Sequence, residues 1–234
     1  MLGIENITVH YGEFQVLDDL CLEVHEGELV VLIGPNGHGK STLMKAICGL
    51  LTPSIGRIHY KQDDITNTPS QKRVEMGITY IAEDRHLFPE MTVQKNLKLG
   101  AYNKNARKDE AKNLKYVFEL FPRLKERTHQ LASTLSGGEA RMLAIARGLM
   151  SNAELLAIDE PSLGLAPNLR VEVFNAIRKV HDQGLTILVV EQSIPEICES
   201  ANRIYLMEEG RITFSGGIEE AKNNPKLKEA FLGM

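Results

Sequence analysis

Apolar and polar positions alternate over residues 4 to 9 (Ile4, Ile7, Val9) and 20 to 24 (Leu20, Leu22, Val24), the period of strands with one buried face in an antiparallel sheet. After Glu26-Gly27 the pattern changes: Leu29 to Ile33 is apolar at every position, as expected for a strand covered on both faces. Leu155 to Ile158 and Ile187 to Val190 share that character. Leu169, Val173, Ile177 and Val180 recur at helical spacing. Alternating strands and helices predict an α/β core. From about residue 86 to residue 150 the strand signals vanish, and helices are predicted over Asp109 to Phe121 and Glu139 to Met150. This stretch reads as a helical lobe inserted into a core formed by about 1–85 and 151–234. A hairpin, Ile204 to Met207 and Ile212 to Phe214 around Glu209-Gly210, is followed by a polar helical tail containing Pro225.

Composition narrows the function classes. The 234 residues are 43% hydrophobic and 25% charged, which excludes a disordered or low-complexity chain and suits one two-lobed unit. The net charge of −4 offers no general attraction to phosphodiester backbones, and with no Trp and 6% aromatics there is little base-stacking surface, so no nucleic-acid partner is expected. The longest aliphatic run, Leu29 to Ile33, is far short of the ~20 residues a spanning helix needs. Glu5 and His10 interrupt any leader-like apolar stretch, so no secretory peptide is expected. Cys21, Cys48 and Cys198 are scattered without C-x-x-C spacing, which fits a reducing cytosol better than a disulfide or zinc framework.

Three segments carry chemistry. Gly34-Pro35-Asn36-Gly37-His38-Gly39-Lys40-Ser41 matches G-x-x-x-x-G-K-[ST], directly after a buried strand and before a helix from Thr42 to Cys48. The glycines let backbone N–H groups turn inward at a helix N-terminus and meet phosphate oxygens. Lys40 is expected to reach the β- and γ-phosphates and the Ser41 hydroxyl to hold Mg²⁺, while His38 reads as a bystander in the variable part of the loop. Asp159-Glu160 sits at the carboxyl end of a buried strand, the edge where α/β sheets bind ligands. There Asp159 would orient the Mg²⁺ shell, and Glu160 would take a proton from the water attacking the γ-phosphate. Leu135-Ser136-Gly137-Gly138-Glu139 is an S-x-x-E capping box. The cap does not require two glycines in the first turn, each costing up to ~1 kcal/mol against alanine. They suit a second anion-binding surface, with a free serine hydroxyl, that faces another copy across the nucleotide.

At this point the chain resembles the ATP-binding cassette family of transporter ATPases, on the phosphate loop at 34 to 41, LSGGE at 135 to 139 and LLAIDEPS at 155 to 162. The resemblance implies a P-loop cassette: a mixed-sheet α/β core, an antiparallel β subdomain and an inserted helical lobe. It puts Tyr11 against adenine and Val16 near the ribose, with ATP and Mg²⁺ as cofactors. It also puts Glu83 where the family usually has a glutamine on Mg²⁺ and the lytic water, Ala166 in place of an aspartate, and Gln192 in place of a histidine on the γ-phosphate. With Phe88 to Val93, Leu99 to Tyr102, Phe121 to Arg127 and Gly164 to Pro167, the pattern is similar to the shorter ATPase of prokaryotic branched-chain amino acid importers. Urea-importer ATPases share much of it. The implied partners are a homologous cassette, in a heterodimer or a homodimer, two integral membrane permease subunits and, indirectly, an extracytoplasmic solute-binding protein. The implied location is peripheral, on the cytoplasmic face of the inner membrane. Two other readings compete: a cytosolic non-transport ATPase of the same fold, which usually carries two fused cassettes or a long coiled coil, and a P-loop kinase or GTPase, for which LSGGE has no use.

Overall fold

A computed structural model describes residues 1–192 and 196–227. It begins with β1 (Leu2–Tyr11) and β2 (Phe14–Val24), then β3 (Leu29–Ile33), α1 (Lys40–Ile47), β4 (Ile55–Tyr60), β5 (Asp63–Asp64), α2 (Ser70–Glu75) and β6 (Ile78–Ile81). A helical run follows: α3 (Val93–Gly100), α4 (Lys104–Lys108), α5 (Glu110–Leu120), α6 (Pro122–Glu126) and α7 (Gly137–Leu149). The chain then forms β7 (Leu155–Asp159), α8 (Pro167–His181), β8 (Thr186–Glu191), β9 (Arg203–Glu208), β10 (Arg211–Gly216) and α9 (Ile218–Asn223).

The six-stranded sheet has the order β10-β9-β3-β8-β7-β6, parallel from β9 to β6, with β10 antiparallel at one edge. The all-apolar run of β3 has its explanation here. Leu29, Val31 and Ile33 enter one core with the helical run and α8, while Val30 and Leu32 enter a second core shared with α1 and the other sheet. That second sheet, β2-β1-β4-β5, is antiparallel. Its β1 keeps both Ile4 and Ile7 buried although they are three residues apart, because the ladder slips between them at Asn6, whose φ is +49°.

Local signals set the helix and turn boundaries. The Ser136 hydroxyl accepts the Glu139 N–H at 3.3 Å and the Glu139 carboxylate accepts the Ser136 N–H at 2.9 Å, so the capping box starts α7. Glu209 and Gly210 both have positive φ, +48° and +77°, as a two-residue hairpin between β9 and β10 requires. The tail begins as α9, and its last part, 228–234, lies outside the described residues. No helix among the described residues is long and apolar enough to cross a membrane.

One buried cation fastens α1 to α2. Arg73 is 1% exposed and donates to the carbonyls of Ala46 and Ile47, at 2.7 Å each, and to those of Ile65, Thr66 and Thr68. Arg73→Met would leave these carbonyls without their donor, and we expect it to lower unfolding free energy by about 3 kcal/mol in urea titrations.

Candidate functional site

The carboxyl ends of β3, β7 and β8 lie side by side, since Ile33 pairs with Glu191 and Asp159 with Val190. The loop leaving β3 turns at Gly37 and Gly39, with φ of +79° and +100°, and delivers the chain into α1 at Lys40. Two of its glycines are required by packing. A Cβ on Gly34 would stand 2.3 Å from the Met207 carbonyl oxygen, and one on Gly39 2.8 Å from Leu17. No side chain caps α1, so its first N–H groups are offered to whatever enters the loop. Lys40 is 5% exposed; its ammonium donates to the carbonyls of Gly34 (2.7 Å) and Pro35 (3.0 Å) and stands 3.6 Å from Glu160.

Asp159 is 1% exposed, with Oδ2 accepting the Tyr80 hydroxyl at 2.9 Å and Oδ1 buried without a hydrogen bond. Burial pushes its pKa up, opposed by the Ser41 and Tyr80 hydroxyls and the charges of Lys40 and Arg141. A buried carboxylate oxygen without a donor, beside a serine hydroxyl, fits a hard divalent cation such as Mg²⁺. Among the described residues no cluster of three His, Cys, Asp or Glu could hold a metal, so the remaining ligands would be phosphate or water oxygens.

Glu160 is a non-glycine residue in the left-handed region, at φ +49°. Its N–H bonds the Val190 carbonyl at 2.9 Å, and its carboxylate accepts the Gln192 side-chain amide. Burial raises its pKa; Lys40 and Gln192 pull it down, and Asp159 and Glu83 reinforce the rise. A carboxylate held 3.6 Å from an ammonium inside a cleft can receive a proton from a water placed between it and a phosphate.

One cavity of about 290 Å³ is lined by Val16, Asn36, Gly37, Gly39, Lys40, Ser41, Thr42, Glu83, Glu160 and Gln192. Residues from five separate stretches of sequence thus meet at one place. Asp159 lies beneath them, and Gly34 and Pro35 contribute the carbonyls that hold Lys40. Tyr11 stands at the turn end of the β1–β2 hairpin, paired with Phe14, 44% exposed and outside this lining. Ser136, Gly137 and Gly138 are also outside it.

One expectation about side chains changes, and two other residues gain partners within the chain. The Ser136 hydroxyl is not free: besides its cap, it donates to the Glu139 carboxylate at 2.9 Å. Gly138 is buried, and a Cβ there would meet the end of the Leu169 side chain of the same chain at 2.3 Å, so packing within the chain already favours a small residue. Gly137 is the exposed one, where a Cβ would meet nothing nearer than Arg85 at 3.8 Å. His38, expected to be no catalyst, has a structural part. Its Nδ1 accepts the Glu209 N–H at 2.9 Å and its carbonyl the Gly210 N–H at 3.1 Å, latching the loop to the β9–β10 turn.

Sequence reasoning missed Tyr80, Arg141 and Glu191. Arg141, 1% exposed on α7, donates to the Ala82 carbonyl at 3.3 Å, next to Glu83. Glu191 is 3% exposed; it accepts the Ser162 N–H at 3.0 Å, and burial pushes its pKa from near 4.5 up to about 7. Between those two values the folded chain holds a proton that the unfolded chain has released, so stability falls as pH rises through 7. Glu191→Gln removes that dependence. We expect the variant to match its parent near pH 5 and to exceed it at pH 8 by about 2 kcal/mol, measured by denaturant unfolding at both pH values.

A larger cavity, about 800 Å³, lies away from this chemistry, between Cys48, Val74 and Tyr80 on one side and Leu99, Tyr102 and Arg147 on the other. Its walls are mostly apolar, with Tyr102 and Leu50 exposed at the rim.

Comparison with known proteins agrees with this geometry. The ABC transporter family model matches residues 17–163. A high-affinity branched-chain amino acid transport ATP-binding protein, BraG of Pseudomonas aeruginosa, is 41% identical over the whole of both chains. A nucleotide-free ATP-binding cassette from an ABC transporter superposes with a TM-score of 0.86 at 29% identity, covering 100% of this chain and 99% of that one. A bacterial ABC transporter cassette solved as a dimer gives 0.79 at 26%, covering 93% and 99%. With the phosphate-loop motif, the aspartate-glutamate pair and the parallel sheet that joins them, the chain belongs to the ABC transporter family, as one of its ATP-binding cassettes.

Proposed function

We propose that the chain hydrolyses Mg-ATP to energise import of branched-chain amino acids. The observation that carries the reading is the buried Lys40–Glu160 pair, 3.6 Å apart at one end of a cavity lined by the phosphate loop. The inward N–H groups of Gly37 to Ser41, with Asn36 and Thr42 beside them, would cradle the phosphates; Lys40 would pair with the β- and γ-oxygens. Val16 lines the same cavity and Tyr11 lies five residues before it, which supports an adenosine seat on the β1–β2 hairpin. Ser41 and Asp159, with Glu83 at the rim, would hold Mg²⁺, which when bound offsets negative charge on the transferring phosphoryl group. Glu160 would accept the proton of the attacking water, and Gln192, an amide that donates but cannot titrate, would orient Glu160 and the γ-phosphate.

The cargo is inferred from the branched-chain amino acid relative, since no residue of this site meets a solute. The natural unit would be one cassette over 1–234, with a catalytic core of about 1–85 and 151–234 and a helical lobe of about 86–150. It would work with a homologous cassette, preferably a different one, and two membrane permease subunits, peripheral to the cytoplasmic face of the inner membrane. An extracytoplasmic solute-binding protein would deliver the cargo.

Ser136 and Gly137 are exposed at the start of α7 yet do not line their own chain's cavity, which supports their use by the facing cassette. Gly137→Glu tests this. The new carboxylate suits a helix N-terminus and clashes with nothing, its one neighbour being the oppositely charged Arg85, so fold and monomer ATP affinity should persist. Facing the partner's phosphates, it should lower ATPase activity roughly 100-fold in a phosphate-release assay. Equal loss of monomer binding would mean that the segment acts within its own chain.

A further inference from the structure

The end of β8 and the residue that follows it hold three parts of the site at once. The Val190 carbonyl takes the Glu160 N–H at 2.9 Å, and the Gln192 amide reaches the Glu160 carboxylate. Between them, Glu191 uses both of its ends. Its carbonyl accepts the Gly34 N–H, at the first residue of the phosphate loop, at 3.3 Å; its carboxylate accepts the Ser162 N–H at 3.0 Å. Ser162 sits two residues beyond Glu160, within a tight turn in which the Leu163 N–H returns to the Glu160 carbonyl (3.2 Å) and the Leu165 N–H to that of Ser162 (3.2 Å).

That turn must keep Glu160 at φ +49°, a conformation a glutamate adopts only when its surroundings impose it. The Glu160 N–H is fixed from one side by Val190. On the other side the Ser162 N–H has Glu191 as its partner, through a bond to an ionisable oxygen, about twice as strong as one between neutral groups when charged. A carboxylate buried to 3% exposure is a costly choice for a purely structural acceptor. Glu160 and Arg170 both act on it electrostatically, with opposite signs, so it stands inside the field of the site.

We propose that Glu191 is a positioning residue for hydrolysis: by gripping the Ser162 N–H it holds the turn after Glu160, and so aims the Glu160 carboxylate at the attacking water. This rests on the reading of Glu160 as the base. Glu191 does not line the cavity that would take the nucleotide, so its loss should act on the chemical step and leave ATP affinity alone.

The test is steady-state hydrolysis by the complex that the chain forms with its partner cassette and membrane subunits, isolated in mild detergent, with Glu191→Met and Glu191→Gln. Met fills the same volume without an oxygen acceptor; Gln keeps an acceptor for the Ser162 N–H. If the Met variant melts early, Glu191→Leu makes the same comparison. We expect the Met variant to lose kcat by roughly 30-fold with KM for Mg-ATP within about threefold of the parent, and the Gln variant to recover most of the rate. A Met variant with parental kcat, or one whose KM alone changes, overturns the proposal. So does a folded Gln variant as slow as Met. A parent complex that releases no phosphate from Mg-ATP overturns both this role and the reading of Glu160, which separates that failure from the others.

Discussion

Glu160→Gln is expected to bind Mg-ATP as its parent does and to lose hydrolysis by roughly 10³-fold, the middle of the range for removing a general base. The amide keeps the size of the carboxylate and can still meet the Gln192 amide through its oxygen, so the cavity keeps its shape. What disappears is the group whose protonation burial promotes and whose charge Lys40, 3.6 Å away, sustains. ATP that enters is then not consumed, and should hold the chain against a second cassette. Phosphate release and radiolabelled ATP retention, measured on the same sample, check both halves. A variant hydrolysing at the parental rate would move the base elsewhere, with Glu83, exposed at the cavity rim, next in line.

Lys40→Ala is expected to weaken ATP binding by at least about 100-fold, the loss of one or two charge-assisted hydrogen bonds to phosphate oxygens. Two further changes add to it. The carbonyls of Gly34 and Pro35 lose their donor, which loosens the loop, and Glu160 stays buried without its counter-charge and takes up a proton more readily. Equilibrium titration with a fluorescent ATP analogue gives the affinity, and a melting curve shows that the fold survives. Unchanged affinity in a folded variant would remove the phosphate loop from the account.

The parts legible in the sequence are those specified locally. The apolar run of β3 declares a strand covered on both faces, S-x-x-E declares the start of α7, and Glu209-Gly210 declares a hairpin. Lys40, Ser41, Asp159 and Glu160 are legible because phosphate chemistry constrains residue types at fixed positions beside strand ends. Other elements give weak local signals. β6 is four residues long, β5 two, and β4 carries Gly56 at φ +85° within a mixed pattern. The supporting residues were hidden for another reason: their partners are distant in the chain. Tyr80 finds Asp159 because β6 and β7 are paired neighbours, and His38 finds Glu209 across 171 positions. Arg73 reads as one more charge in a polar helix until the carbonyls of Ala46 and Ile47 are seen above it. Gly138 is likewise tied to a distant residue, since a Cβ there would meet the Leu169 side chain.

The central claim is that this cassette drives a transporter, and purification from membranes tests it most directly. The chain, tagged and carrying Glu160→Gln, would be isolated from its own host in mild detergent with Mg-ATP, and its co-purifying subunits identified by mass spectrometry. The account predicts one homologous cassette or a second copy of the chain, together with subunits that span the membrane several times. Recovery of the chain with soluble partners alone would contradict it.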